Sequence, residues 1–205
     1  NTASYEICEP LAWDAIALTP ELANEAKSSS AIVFGSLASR NATSRNTLFK
    51  LLKNDILKIM DVNLRPPYDT EAIVKPLLEK SDIVKLNDEE LIKITGWYNL
   101  SGNLEERIRS FSNLLKIETL IVTMGKNGAY VLHKNDLYHH NGFKVETEDS
   151  VGAGDAFLAG FLAAFFDGKD LNTALAEASA IGAYVASQPG ATPHYTREVI
   201  KRFTE

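Results

Sequence analysis

The sequence predicts an α/β protein with an open, mostly parallel sheet flanked by helices. Two observations support this fold class. Short apolar runs alternate with segments of helical periodicity, as in parallel strands joined by helical crossovers. Polar residues or glycines also follow several of the apolar runs, and ligands of such sheets bind beyond the carboxyl ends of the strands.

The first part of the chain is predicted to contain two strands and two helices. The apolar run at 31–35 reads as a buried strand, and the next strand is stopped by Pro66 and Pro67. The predicted strands are Ala31–Gly35 and Ile56–Val62, and the predicted helices are Arg40–Lys53 and Thr70–Glu79.

The second part is predicted to continue the alternation and then to form a hairpin. Two apolar runs separated by Lys134–Asp136 indicate that hairpin. The predicted strands are Asp82–Leu86, Glu118–Thr123, Ala129–His133 and Leu137–His140, and the predicted helices are Asp88–Thr95, Leu104–Lys116, Ala153–Phe166 and Leu171–Ser187. Because no segment reads as a linker, we expect residues 1–205 to form a single domain.

Composition restricts the classes of function. The net charge of −6 and the lack of a Lys/Arg cluster argue against nucleic-acid binding. Cys8 is the single cysteine, which fits a reducing cytoplasm. No apolar run reaches the roughly 18 residues that a membrane span needs, so we expect no membrane partner.

The segment Asp149–Asp155 is the most informative one, because two glycines there open an apolar helix. A helix N-terminus leaves backbone N–H groups without intrahelical partners, and these groups and the helix dipole attract phosphate. A carboxylate at Asp155 suits such a turn if it takes a proton from a hydroxyl that attacks a phosphoryl group. The alternative is a tight strand-to-helix turn in which Asp155 only caps the helix.

Polar or glycine clusters follow four separate strands or crossovers, and we expect them to face one site. Asn87 and Glu90 also have the spacing of a helix capping box. The four clusters are Asn63 with Arg65, Asn87 with Glu90, Thr123 with Gly125, and Gly152–Asp155.

Four ordered motifs resemble those of the ribokinase-like (PfkB) carbohydrate kinases, and the segments Phe34–Ala38 and Asp61–Pro67 look most like the fructokinase branch. The resemblance covers essentially the whole chain and implies a ribokinase-like fold without the N-terminal strands and most of the lid. The motifs are Asp61-Val62-Asn63-Leu64-Arg65, Asn87-Asp88-Glu89-Glu90, Thr123-Met124-Gly125-Lys126-Asn127-Gly128 and Asp149-Ser150-Val151-Gly152-Ala153-Gly154-Asp155.

The resemblance implies an ATP- and Mg²⁺-dependent phosphotransferase that acts on a sugar hydroxymethyl group, with fructose as the expected sugar. Asp155 would be the catalytic base, and Gly152, Ala153 and Gly154 would form an anion hole. Asn87 and Glu90 would help hold the nucleotide phosphates and Mg²⁺, with Glu90 acting through water. The same two residues can serve as helix cap and capping-box partner at once.

Further residues are implied on the nucleotide side of the site. Thr123, Gly125 and Gly128 would lie close to the nucleotide, although a strand-end threonine and ordinary turn glycines would give the same pattern. Ser179 stands where the family commonly has Asn or His, so the contacts to the adenine base are expected to differ from those of the family. Phe157 is expected to pack in the core.

The resemblance also implies residues that contact the sugar and residues that bind a second cation. Asn63 and Arg65 would lie on the substrate side, with a salt-bridge role for Arg65 as the alternative. Main-chain carbonyls of Asp149, Val151 and Gly190 would be candidates for binding a monovalent cation such as K⁺.

The chain departs from the family at its start, because the Gly-Gly segment and most of the small lid sheet are not present. We therefore expect a C-terminal fragment, with 1–18 as the remnant of the lid and its connection, and with little turnover by itself. The full-length protein is expected to form a homo-oligomer. The alternative functions are a non-catalytic nucleotide-binding module, or a related kinase acting on ribose, 2-keto-3-deoxygluconate or a nucleoside.

Overall fold

The computed structural model describes residues 6–204, which contain six strands and eight α-helices in a mixed α/β arrangement. The chain divides into two compact units, one up to Ile83 and one from Val84 onward. The expected single domain stays a prediction. The expected lid remnant falls partly on residues 1–5, which lie outside the described residues.

The first unit contains two parallel strands and three helices. The strands pair with Ala31 opposite Leu57 and Gly35 opposite Asp61. Its elements are α1 (Pro20–Ser28), β1 (Ala31–Gly35), α2 (Ala42–Leu51), β2 (Leu57–Asp61) and α3 (Glu71–Leu78).

The buried side chain of Arg40, just after a short 3-10 helix at Leu37–Ser39, bonds to the first residues of the described chain. Arg40 donates from Nε and Nη2 to the two carboxylate oxygens of Asp14, each at 2.7 Å. Its guanidinium also lies 4.7 Å from the ring centroid of Tyr68. The hydrogen bond from Arg40 lowers the pKa of the Asp14 carboxyl.

The second unit contains an antiparallel meander and five helices, and β3 starts at its boundary with the first unit. In the meander, Thr119 lies opposite His133, and Ala129 opposite His140. The elements are β3 (Ile83–Asn87), α4 (Asp88–Trp97), α5 (Leu104–Leu115), β4 (Thr119–Thr123), β5 (Ala129–His133), β6 (Asp136–His140), α6 (Ala153–Phe166), α7 (Leu171–Ala186) and α8 (Arg197–Thr204).

The apolar pattern of the second unit explains its packing. The central residues of β4, Leu120 to Val122, are fully buried, as are Phe111 of α5 and Phe161 of α6. α6 and α7 approach closely because Gly160 and Gly182 lack side chains: a Cβ at Gly182 would lie 3.2 Å from the Ala153 carbonyl. This close packing holds the first turn of α6 against α7.

The strands and helices predicted from the sequence are present, with ends that differ by at most two residues, and the predicted hairpin is confirmed. Two helices were missed. α1 begins at a proline after Thr19, whose hydroxyl accepts a hydrogen bond from Leu22 N at 3.2 Å. α8 lies beyond α7, where the sequence reading placed no further helix.

Candidate active site

The first turn of α6 is shaped for an anion. Gly152 has φ +80°, and a side chain there would collide with Ala191, so the position suits glycine alone. The backbone N–H groups of Gly154 and Asp155 donate no hydrogen bond to any group within residues 6–204. These two donors, at the positive end of a 14-residue helix, make the turn a receptor for negative charge.

Asp155 occupies the first turn of α6 with an exposed side chain. Among the described residues, no arginine or other cation pairs with its carboxylate, and no hydrogen bond holds it. The carboxylate is therefore able to meet a ligand from solvent and is not locked in a structural ion pair.

A cavity of about 730 Å³ lies within the second unit. This volume is in the range typical of small-molecule and cofactor sites. Six of the residues predicted from the sequence line it: Thr123, Gly125, Gly128, Ala153, Gly154 and Ser179. The sites predicted separately on β4, α6 and α7 thus share one cavity.

The loop after β4 forms one wall of the cavity. It makes a 3-10 turn at Gly125–Asn127 and ends at Gly128, whose φ is +88°. A side chain at Gly128 would collide with the His140 carbonyl, so the loop packs closely on the end of β6. On that side, His140 Nδ1 accepts a hydrogen bond from Gly142 N at 3.0 Å.

Ser179 supplies a polar atom at the wall formed by α7. The residue is 6% exposed, and its hydroxyl has no hydrogen-bond partner among the described residues. A buried hydroxyl without a partner is costly, so such an atom beside a cavity is a candidate for bonding a ligand.

Asn87 and Glu90 form a reciprocal capping box at the start of α4. Asn87 Oδ1 accepts from Glu90 N at 2.8 Å, and Glu90 Oε2 accepts from Asn87 N at 2.9 Å. Neither residue lines the cavity. Glu90 is 8% exposed, which fits its structural role. Its carboxylate oxygens are also the ligand type that Mg²⁺ prefers.

The remaining predicted residues lie outside the cavity lining. Asp149 Oδ1 accepts from Val151 N at 2.9 Å, and Gly190 has φ +78°. Among residues 6–204, no cluster of His, Cys, Asp and Glu side chains has the geometry of a metal site.

Asn63 and Arg65 belong to the first unit. Asn63 is exposed and has φ +42°, just after β2. Arg65 donates from Nη1 to the Leu64 carbonyl at 2.9 Å. Their substrate-side role stays a prediction.

The cavity also contains residues that the sequence reading missed. Phe143, Lys144 and Val145 follow β6 in irregular structure, where no periodicity marks a functional segment. Phe157 is buried, as expected, and also lines the cavity.

A family description, "pfkB family carbohydrate kinase", matches residues 11–197. The chain belongs to the pfkB family of carbohydrate kinases. A fructokinase of Salmonella thompson is 31% identical over 156 residues, which are 70% of this chain and 69% of the relative. An ATP-dependent ribose-1-phosphate kinase of Halopiger xanaduensis is 32% identical over 126 residues, 62% of this chain and 40% of the relative.

A solved structure supports the fold of this pfkB-family chain. The fructokinase of Vibrio cholerae O395, crystallised with fructose, ADP and calcium ion, has a TM-score of 0.75 and 28% identity, covering 85% of this chain and 60% of that one. The fold is therefore ribokinase-like α/β, as predicted. The chain spans 40% to 69% of the lengths of these three proteins.

The described helices include none with the length and apolar character that crossing a bilayer requires.

Proposed function

We propose that this pfkB-family chain carries the nucleotide site and the catalytic base of an ATP-dependent sugar kinase, with fructose as the acceptor. The observation that carries the proposal is the first turn of α6. The backbone amides of Gly154 and Asp155 have no hydrogen-bond partner among the described residues, Gly154 lines a cavity of about 730 Å³, and Asp155 has an exposed carboxylate. Family membership supports phosphorylation of a sugar.

In the proposed reaction, the Asp155 carboxylate accepts the proton of a sugar hydroxymethyl group. The hydroxyl oxygen forms a bond to the γ-phosphorus, and the bond from that phosphorus to the β,γ-bridging oxygen breaks. ADP leaves with the electron pair, while the α6 amides stabilise the charge on the transferring group.

The cavity would hold the nucleotide, with Thr123, Gly125 and Gly128 on one wall and Ser179 on another. Glu90 and Asn87 would hold Mg²⁺ through water, since both side chains carry oxygen atoms, the ligand type that Mg²⁺ prefers. Mg²⁺ would neutralise phosphate charge. The carbonyls of Asp149, Val151 and Gly190 would bind a monovalent cation.

Fructose is the proposed acceptor because the Salmonella and Vibrio relatives carry the name fructokinase. Ribose, 2-keto-3-deoxygluconate and nucleosides are the competing acceptors. We also propose that the protein is cytoplasmic, since ATP is an intracellular substrate, and that it forms a homo-oligomer. Light scattering and cell fractionation test those two parts.

The decisive experiment compares Asp155→Asn with Asp167→Asn, an exposed aspartate just after the other end of α6. Sugar-dependent ADP release is measured with the acceptor panel, on the longest form of the protein isolated from cells. We expect Asp155→Asn to lower kcat by roughly a thousandfold and to keep ATP affinity, because only proton transfer is lost. Asp167→Asn should leave both unchanged.

Near-normal turnover in Asp155→Asn would refute the assignment of the base. If no acceptor is phosphorylated although ATP binds, the non-catalytic nucleotide-binding module becomes the better description. Mass spectrometry of the protein from cells gives the length on which that comparison depends.

A further inference from the structure

An aromatic cluster lies at one wall of the cavity, with rings from β6, α7, α8 and the stretch after β6. Its member in the cavity lining is Phe143, which is half-buried. Phe143 stands in irregular backbone, where neither a helix nor a strand fixes the direction of its side chain. The packing of neighbouring rings therefore decides where the Phe143 ring lies.

Two neighbouring rings contact Phe143. The ring centroid of Phe203, in α8, lies 5.8 Å away at an interplanar angle of 87°, and that of His140 lies 4.9 Å away at 39°. Edge-to-face and tilted contacts of this kind are favourable for aromatic rings. Neither His140 nor Phe203 belongs to the cavity lining, so the two contacts leave the cavity side of Phe143 available to a ligand.

Phe203 is in turn held against α7. Its ring centroid lies 6.3 Å from that of Tyr184 at an interplanar angle of 84°, and the Tyr184 hydroxyl donates to the His194 carbonyl at 3.0 Å. Ile200, three residues before Phe203, is buried. The inner side of α8 therefore packs as a support for Phe143.

The rest of the cavity lining also suits a planar and weakly polar group. No aspartate or glutamate is among the described lining residues, and several of them are small or apolar: Val145, Ala153, Phe157, Ala183 and Ala186. A nucleotide combines an anionic polyphosphate with a planar base. The first turn of α6 suits the polyphosphate, whereas Phe143 and the apolar lining suit the base.

We propose that the Phe143 ring is a stacking platform for the nucleotide base, and that Phe203 of α8 is the positioning residue that holds this ring at the cavity. The inference rests on the proposed function, because it takes the cavity as the nucleotide site. Stacking on an aromatic ring contributes to the binding of any base, since every base has a π-face. An aliphatic side chain of similar volume would lose that contribution.

The test is titration calorimetry on this chain with ATP, adenosine and inorganic tripolyphosphate as probes. Tripolyphosphate carries the charge without a base, so it reports on the α6 turn alone. We expect Phe143→Leu to weaken the binding of ATP and of adenosine by about fivefold, and to leave that of tripolyphosphate within about twofold. Phe143→Tyr retains the ring and should keep the wild-type affinities.

Fluorescence gives a readout that a merely structural role of Phe143 would not move. The triphosphate of 2-aminopurine riboside is fluorescent, and stacking of its base quenches the emission. With the nucleotide fully bound, the emission should be quenched in the wild type and in Phe143→Tyr. In Phe143→Leu it should be higher by roughly twofold, because the stacking partner is gone.

Phe166→Leu is the matched control. Phe166 is an exposed phenylalanine at the last position of α6, in the same unit, and it does not line the cavity. Its replacement should change neither the affinities nor the quenching. Phe143→Met serves as a second variant without the ring should Phe143→Leu lose its cooperative thermal transition.

A double-mutant cycle tests the positioning role of Phe203. Phe203→Leu should weaken ATP binding by about threefold when Phe143 is present, because the ring loses its edge-to-face neighbour. The same substitution should have no further effect in the Phe143→Leu background. Additive losses would contradict the positioning role.

The remaining outcomes are distinguishable. Unchanged ATP affinity and unchanged quenching in both variants without the ring overturn the proposal, and so does an equal loss for tripolyphosphate, which indicates a general disturbance of the site. Equal affinities of the wild type for ATP and tripolyphosphate also overturn the base platform, while leaving the anion site at α6 in place. A wild-type chain that binds none of the three probes contradicts the proposed nucleotide site itself.

Discussion

Asn87 and Glu90 hold each other in place across the first turn of α4, through two reciprocal hydrogen bonds of 2.8 and 2.9 Å. The same arrangement occurs at α5, where Asn103 Oδ1 accepts from Glu106 N at 3.0 Å and Glu106 Oε2 accepts from Asn103 N at 2.8 Å. An Asn-x-x-Glu sequence is therefore a helix cap at both places. Only its position in the fold can add a second role.

This duplication allows the two roles of Asn87 to be separated. Asn87→Ala and Asn103→Ala should each lower the free energy of unfolding by about 1 kcal/mol, because each removes a helix cap. Urea unfolding measures that loss. Only Asn87→Ala should also reduce the gain in ATP affinity that Mg²⁺ provides, measured by calorimetry with and without the metal. An equal Mg²⁺ effect in both variants would remove Asn87 from the proposed site.

The glycines of the loop after β4 differ in their tolerance of a side chain. Gly125 has φ +53° with open space around it, so Gly125→Ala should cost about 1 kcal/mol of backbone strain. Gly128→Ala would add a collision with the His140 carbonyl and should cost about 3 kcal/mol or more. Thermal unfolding of the two variants gives the comparison. Similar melting temperatures would mean that the loop does not pack on β6 as described.

Ser179 gives a test of ligand contact in the cavity. Ser179→Ala removes a buried hydroxyl that has no partner among the described residues, so stability should stay the same or rise by up to about 1 kcal/mol. If the hydroxyl bonds the nucleotide, ATP affinity should fall by about fivefold.

Ser112→Ala is the matched substitution, because Ser112 Oγ donates to the Ile117 carbonyl at 2.8 Å in the same unit. It should lose about 1 kcal/mol of stability and keep its ATP affinity. Unchanged ATP affinity in Ser179→Ala would remove Ser179 from the nucleotide-binding set.

His140 predicts a pH dependence of stability. Burial, with a further contribution from the charge of His139, lowers the pKa of His140 below its ordinary value of 6.5. The unfolded chain therefore binds a proton at a higher pH than the folded chain does. Stability is full above pH 6.5 and is lost as the pH falls from there through the lower pKa of the folded state.

Unfolding measured across that pH range should show the loss in the wild type and a smaller loss in His140→Phe. His194→Gln changes an exposed histidine of the same unit and should keep the wild-type profile. Identical profiles in all three proteins would exclude His140 as the source. Since His140 Nδ1 accepts from Gly142 N beside the cavity, ATP affinity should fall over the same pH range.

Much of the fold was predictable from the sequence because its signals are local. The apolar run 120–122 is fully buried in the strand β4, and the glycine at 152 marks the start of α6 at Ala153. The missed helix α8 begins after an irregular stretch at 187–196, where Pro and Gly interrupt any periodic pattern. Likewise, residues 142–145 reach the cavity without a sequence signal, because irregular backbone has no period to read.

The sequence by itself determined the α/β alternation, the family motifs and the glycine turn that ends in Asp155, since each depends on residues adjacent in the chain. Only the tertiary structure decided which of those residues share a cavity and that Phe203 of α8 packs on Phe143. These two residues are separated by α6 and α7 along the chain. Their approach depends on how the helices pack, and no local pattern encodes that distance.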